Sequence, residues 1–211
     1  MVVVALVVVG ALVMHAQDRE APENGEDSML EEEETVFFSI NGVNYTYEFA
    51  RQEYNLLHAQ AREQLTLEEF ADEILIPKLL LLDSARELGY EANETEIDET
   101  LRFIETTLAA QDTTFEEYLT QINLTVEDWR EKKAEELMIE ALIESEISPG
   151  VEVRDEDIRD AYEEFGLEEQ DVTYAEAEAD LRAFLTAQFE SDAVQFYLDL
   201  LRRRADIVFY T

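Results

Sequence analysis

The stretch VFFSINGVNYTYEFARQ, residues 36–52, constrains the fold more than any other part of this chain. Asn41-Gly42 supplies two adjacent residues that tolerate positive φ, as a two-residue type I′ turn requires, and Ile40 and Val43 become cross-strand neighbours beside it. A lone two-stranded hairpin is marginal in water. A partner must come from elsewhere, yet nearly all of the remaining chain reads as helix. The other segment with strand chemistry is the C-terminal ADIVFYT, where Ile207, Val208, Phe209 and Tyr210 are β-branched or aromatic. It follows a helix end marked by Arg202, Arg203 and Arg204, cations that suit the negative end of the helix dipole. The expected fold is therefore mainly α, a multi-helix domain with a small antiparallel sheet. Residues 206–210 join the N-terminal hairpin as its third strand and bring the two ends of the folded region together.

Between those strands one grammar recurs: a Thr or Asn, an acid three residues on, then apolar residues at helical spacing. This is the capping box. Ala50, Tyr54, Leu57, Ala61 and Leu65 mark one face of a helix leaving the hairpin. Thr66 with Glu69 opens a longer helix to Leu88, ended by Gly89, with ILIPKLLLL at its centre and a kink or break expected at Pro77, which has no N–H to donate. Further helices are expected over about 96–110, 115–122 and 126–147, the last opened by Thr125 with Asp128 and closed by Ser148-Pro149-Gly150. VEVRDEDIRDAYEEFG reads as a brief extended piece and a short helix stopped at Gly166. Thr173 with Glu176 opens the final helix, with Ala177, Leu181, Phe184, Leu185, Phe196 and Leu200 as its interrupted apolar face.

Charge narrows the function classes. The chain carries 52 Asp and Glu against 15 Lys and Arg, a formal net charge of −37. Nucleic acid is excluded as a partner, because neutralising phosphates needs a basic face and the one cationic cluster is the arginine triplet at a helix end. So large a net charge strains a folded state by self-repulsion, whereas concentrated salt shortens the Debye length to about 3 Å at 1 M. The excess of acid with depleted lysine resembles that of haloarchaeal proteins and implies a salt-loving source, with a very acidic solvated face as the alternative. There is no cysteine and there are only two histidines, His15 and His58, so thiolate chemistry and multi-histidine metal sites are excluded. No cofactor is implied: a Gly-rich phosphate loop and a nucleophile elbow are both missing from the sequence. Paired carboxylates say nothing where a quarter of all residues are acidic, and the stretch from Asp155 to Asp160 lacks the glycine and terminal glutamate of a calcium-binding EF-hand loop.

The N-terminal run MVVVALVVVGALVM is apolar without interruption. As a helix it would reach about 21 Å, short of the roughly 30 Å hydrocarbon core, and it lacks a basic flank and a small-residue cleavage site. Residues 1–16 are read as an export or anchor segment lacking its upstream part, with membrane tethering through residues 1–14. Residues 17–35, rich in acid, Pro, Gly and Asn, form an expected disordered linker, and residues 36–211 the folded domain. Asn44-Tyr45-Thr46, Asn93-Glu94-Thr95 and Asn123-Leu124-Thr125 match the N-glycosylation pattern, although Thr95 and Thr125 also read as helix caps. With an export segment, these favour an extracytoplasmic or membrane-anchored location facing outside; the cytoplasm is the alternative.

The ordered set of the Asn-Gly hairpin, ARELGY, NETEIDETLRFIE, TTFEEYLTQINLTVEDWREKKAEELMIEALI and VEVRDEDIRDAYEEF resembles the N-terminal chaperone domain of the SurA family, with kinship to PrsA-type foldases and the helical arms of trigger factor. In SurA and PrsA the segment similar to DEDIRDAYEEF leads into a parvulin prolyl isomerase domain. Here only GLEEQDV separates it from the returning helix, so that domain is absent. The resemblance implies an ATP-independent holdase for unfolded or newly exported polypeptides, without a catalytic step. Phe103, Phe115, Tyr118 and Trp129 are the candidate client-lining residues, with core packing as their competing role. A membrane-tethered module for one specific partner, or an isomerase acting without a parvulin domain, are the alternatives.

Overall fold

The computed structural model describes residues 35–57 and 59–210. The apolar segment expected over residues 1–16 and the linker over 17–35 lie outside the described residues, Thr35 apart. The chain forms two compact units, one of the residues up to Pro77 together with those from Arg202 on, the other of the residues from Lys78 to Leu201.

The first unit contains the sheet. Strands β1 (Val36–Ile40), β2 (Val43–Thr46) and β3 (Ile207–Phe209) lie in the order β2-β1-β3, both pairs antiparallel. The expected third strand is in place, with Phe38 opposite Phe209, Ser39 opposite Val208 and Ile40 opposite Ile207. Asn41 and Gly42 take φ of 51° and 82°, the turn conformation their chemistry predicts. Asn41 also seats β3: its N–H donates to Asp206 O at 2.8 Å, and its Oδ1 accepts the Asp206 N–H at 2.9 Å. As the central strand, β1 is covered on both faces, and Phe37, Phe38, Ser39 and Ile40 are all buried. The register slips between Val36 and Phe38, a bulge that lets two successive phenylalanines pack. Phe38 stacks on Tyr45 at 4.9 Å, and Phe37 meets Tyr47 at 4.3 Å.

The helix expected to run on from the hairpin is divided into Tyr47–Asn55 and Ala59–Arg62. Leu56 and Leu57 donate to Glu53 and Tyr54, three residues back, which tightens the first piece to a stop. The Tyr54 hydroxyl reaches Arg62 O at 2.7 Å and Leu65 O at 2.6 Å, drawing the second piece back, while its ring packs edge-on against Phe70. Thr66 and Glu69 close the expected capping box over Leu67–Phe70. Ahead of Pro77 the regular helix is interrupted by a wide turn, Ala71–Leu75, with an i→i+5 bond from Ile76 N–H to Ala71 O, and then comes the helix Ile76–Glu87. The proline ring would clash with the carbonyl four residues back, and widening the preceding turn relieves that clash. The same device recurs at the same spacing before Pro149, where Ile143–Ile147 is wide and Ser148 N–H donates to Ile143 O.

The second unit has three apolar clusters. Helices Glu94–Ala109, Phe115–Gln121 and Val126–Leu142 enclose Ile97, Leu108, Phe115, Leu119, Trp129 and Leu137. Helix Asp155–Glu164 and the start of Tyr174–Arg204 enclose Ile158, Ala161, Ala177, Leu181 and Leu185. Leu81, Leu82, Ala85, Ile139, Leu142, Ile147, Val194 and Leu198 form the third, where Ser84 and the Tyr197 hydroxyl meet at 2.6 Å. The expected apolar face of the last helix needs correction: Phe184 and Phe196 are 51% and 65% exposed, and Val194 and Leu198 are buried in their place. Val194 lies about half a turn around the helix from Leu185 at ~100° per residue, so one helix serves two cores on different sides. The piece before Asp155 is extended coil and joins no sheet.

The connections repeat a second grammar. Asp112, Asn123 and Asp171 each take φ near +60°, and the next residue's N–H donates to a carbonyl five residues back: Thr113 to Leu108, Leu124 to Leu119, Val172 to Leu167. One residue later stands the threonine that opens the next helix, Thr114, Thr125 or Thr173, with Glu117, Asp128 or Glu176 reaching back to its N–H. Leu124 with Trp129, and Val172 with Ala177, fall in shared clusters on either side of their caps, as a hydrophobic staple requires.

Candidate functional site

The four candidate lining residues separate into two environments. Phe115 and Trp129 are buried and meet edge to face at 5.2 Å and 86°, an arrangement that puts the positive ring edge on the negative ring face. Tyr118 is half-buried against the same cluster, and burial raises its phenol above the usual range. Phe103 stands apart, 72% exposed on the Glu94–Ala109 helix, whose buried side carries Ile97 and Leu108. The structure therefore brings Phe115, Tyr118 and Trp129 together as packing and leaves Phe103 facing solvent.

Other exposed aromatics are less legible in the sequence. Phe165 and Phe184, 5.7 Å apart at 72°, form an edge-to-face pair that both rings leave largely open to solvent, and Phe196 is exposed farther along the same long helix. Both Phe184 and Phe196 sit in a stripe that helical periodicity assigns to the core. The signal that separates them is the length of the helix, because over 31 residues no single stripe has to stay buried.

The surface around these rings is strongly acidic, and several of its cations act as clasps between elements. Arg130 donates to Asp98 at 2.7 Å and Glu94 at 2.9 Å, tying the Val126–Leu142 helix to the start of the Glu94–Ala109 helix. These bonds hold the guanidinium above its ordinary pKa. Arg182 bonds Asp155 at 2.8 Å and the Val153 carbonyl at 3.2 Å, fastening the long helix to the approach of Asp155–Glu164. Lys78 and Arg86 both pair with Glu135.

Each glycosylation candidate has an exposed asparagine, and each also has a structural task in its triplet. Thr46 accepts the Phe49 N–H at 3.2 Å and caps the Tyr47–Asn55 helix; Asn93 accepts the Thr95 N–H and caps Glu94–Ala109. Asn123 takes positive φ two residues before the Thr125 cap. The Asn44 triplet lies on β2.

Among the described residues no group of three or more His, Asp or Glu side chains converges as a metal site, and no helix is long and apolar enough to cross a membrane. Carboxylates at helix caps are held below their ordinary range: bonds from Thr66, Thr114 and Thr173 lower Glu69, Glu117 and Glu176, and Arg154 lowers Asp157. Those groups are committed to holding helix ends. Compared with known proteins, the sequence matches no family model and no curated protein.

Proposed function

We propose that residues 36–211 act as an ATP-independent holdase, a chaperone that binds unfolded or exported polypeptides through exposed aromatic side chains without a catalytic step. The SurA-like order of motifs motivates this reading. The observation that carries it is the exposure of Phe103, of the Phe165–Phe184 pair and of Phe196 on a chain that is otherwise heavily acidic. Exposed rings on an acidic surface offer apolar contacts to many side-chain shapes while charge keeps the loaded protein soluble. A salt-rich setting suits the charge.

The test is aggregation of several unrelated unfolded proteins in molar salt with and without the protein. Suppression across the panel, lost in the Phe103→Ser, Phe165→Ser, Phe184→Ser, Phe196→Ser combination at unchanged helicity, supports a holdase. Capture of one partner alone indicates a dedicated binding module, and acceleration of a proline-limited refolding reaction indicates an isomerase; either would displace this reading.

A further inference from the structure

One side of the small sheet is open. Asn41 N–H donates to Asp206 O and Tyr210 N–H donates to Phe37 O, so the even-numbered residues of the C-terminal strand bond to β1. The alternation of an antiparallel ladder then points the N–H and C=O of both Ile207 and Phe209 away from β1, where they meet no partner among the described residues. Natural edges are usually blunted by Lys, Pro or a bulge, and β3 carries none of these. Phe209 is held by Phe37 and Phe38, each with its ring centroid 5.8 Å away, yet stays 39% exposed, as does Val208. The helix that leads into β3 ends in Arg203 and Arg204, both exposed and neither in an ion pair among the described residues, whereas Arg202 is taken by Asp72.

We infer that this edge takes an extended segment of an unfolded polypeptide as a fourth strand, antiparallel to β3, with an acidic residue at the segment's C-terminal end. The inference rests on the holdase reading and names how a client is held. The backbone groups of Ile207 and Phe209 can bond any residue but proline, so strand addition supplies affinity without demanding a particular sequence, as a binder of many clients needs. Apolar client side chains at alternate positions fall beside Ile207 and Phe209 on one face and beside Val208 on the other. The arginines set the direction. A segment antiparallel to β3 leaves its C-terminal end next to Ile207, the end from which the helix and its arginines lead, and a carboxylate there meets Arg203 and Arg204 against the single opposing charge of Asp206. Most of this surface repels such a segment, the chain having a formal net charge of −37, and the end of β3 is where it does not. A second copy of the chain would bring the same net charge to the edge, which disfavours self-pairing as its use.

Amide hydrogen exchange on the full chain tests it, in the presence of a capped peptide of alternating threonine and valine that ends in two aspartates. At saturating peptide the Ile207 and Phe209 amides should exchange at least tenfold more slowly. The same peptide N-methylated at every threonine and valine keeps its side chains but loses its donors, and should give no protection. At the lowest salt that preserves helicity, replacing the two aspartates by lysines should weaken binding at least threefold, and Arg203→Gln with Arg204→Gln should remove that preference. Unchanged exchange at both amides, equal protection by the N-methylated peptide, no preference for aspartate, or slow exchange without peptide that grows with protein concentration, as self-pairing would give, overturns the inference. The two readings fail separately. Aggregation suppressed by a chain whose amides the peptide leaves fast sinks strand addition and keeps the holdase; protected amides without suppression keep strand addition and sink the holdase.

Discussion

The joining of the chain's two ends can be measured as a coupling energy between Phe38 and Phe209. Phe38 is fully buried, with ring centroids 4.9 Å from Tyr45, 5.7 Å from Phe37 and 5.8 Å from Phe209. Truncating such a ring to alanine costs about 3–5 kcal/mol through lost transfer energy and the cavity left behind. Phe209 is 39% exposed and loses less, about 1–2 kcal/mol. If the two rings act on each other, the double variant should be less destabilised than the sum of the singles by about 0.5–1.5 kcal/mol, the range for a packed aromatic pair. Urea denaturation at constant molar salt gives the four free energies, and Phe38→Ala alone should lower the melting temperature by roughly 6–20 °C for a domain of this size. Two results would refute the reasoning. Additivity of the two substitutions within about 0.3 kcal/mol would mean that β3 does not pack on β1, and a small loss for Phe38→Ala would mean that the central strand is not in the core.

Thr114→Ala should cost about 1 kcal/mol in urea denaturation by removing the acceptor for the Glu117 N–H, whereas Thr113→Ala, whose side chain caps nothing, should be nearly neutral. Asp112→Gly should stabilise by up to about 1 kcal/mol, since φ of 55° strains an L-residue and the change removes one negative charge. Burial raises the Glu140 carboxyl, against the pull of Lys133, so its ionised form opposes folding above the raised pKa and the penalty disappears as pH falls through it. Glu140→Gln should therefore melt higher than the native chain at pH 7, with the gap closing on acidification; a constant gap from pH 7 to pH 4 would contradict the assignment. Helicity followed by circular dichroism should fall as salt is lowered from molar to millimolar, and full helicity at low salt would remove the salt-loving reading.

Local chemistry makes much of this fold legible in the sequence. Asn41-Gly42 announces its turn, Ile207 to Tyr210 announce a strand, and Thr66, Thr125 and Thr173 each mark a helix start by the acid three residues on, because those signals depend on neighbours within one turn of chain. The failures share a different origin. Phe184 and Phe196 are exposed because the long helix changes partner between Leu185 and Val194, a fact set by where Asp155–Glu164 ends. The split after Asn55 depends on the Tyr54 hydroxyl finding carbonyls eight and eleven residues away. For the candidate site, the resemblance groups Phe103 with Phe115, Tyr118 and Trp129, but Ile97 and Leu108 define the buried side of the first helix and turn Phe103 outward.

The distribution of cations gives the acidity a structural meaning. With 15 basic residues against 52 acidic ones, most carboxylates can have no cationic partner, and surface pairs scattered at random would contribute little. Arg130, Arg182 and Glu135's two partners instead sit where one element meets another, and Arg202 pairs with Asp72 across the widened turn before Pro77. A guanidinium in such a place relieves repulsion between two elements that would each carry uncompensated charge at their contact, which is a larger service than one exposed pair performs on a single helix. Added salt performs the same service everywhere at once. Neutralising a clasp such as Arg130, by Arg130→Gln, should consequently destabilise the chain more at moderate salt than in molar salt, whereas the loss from Phe38→Ala should not shrink as salt rises, since salt screens charge and leaves apolar burial intact or strengthened.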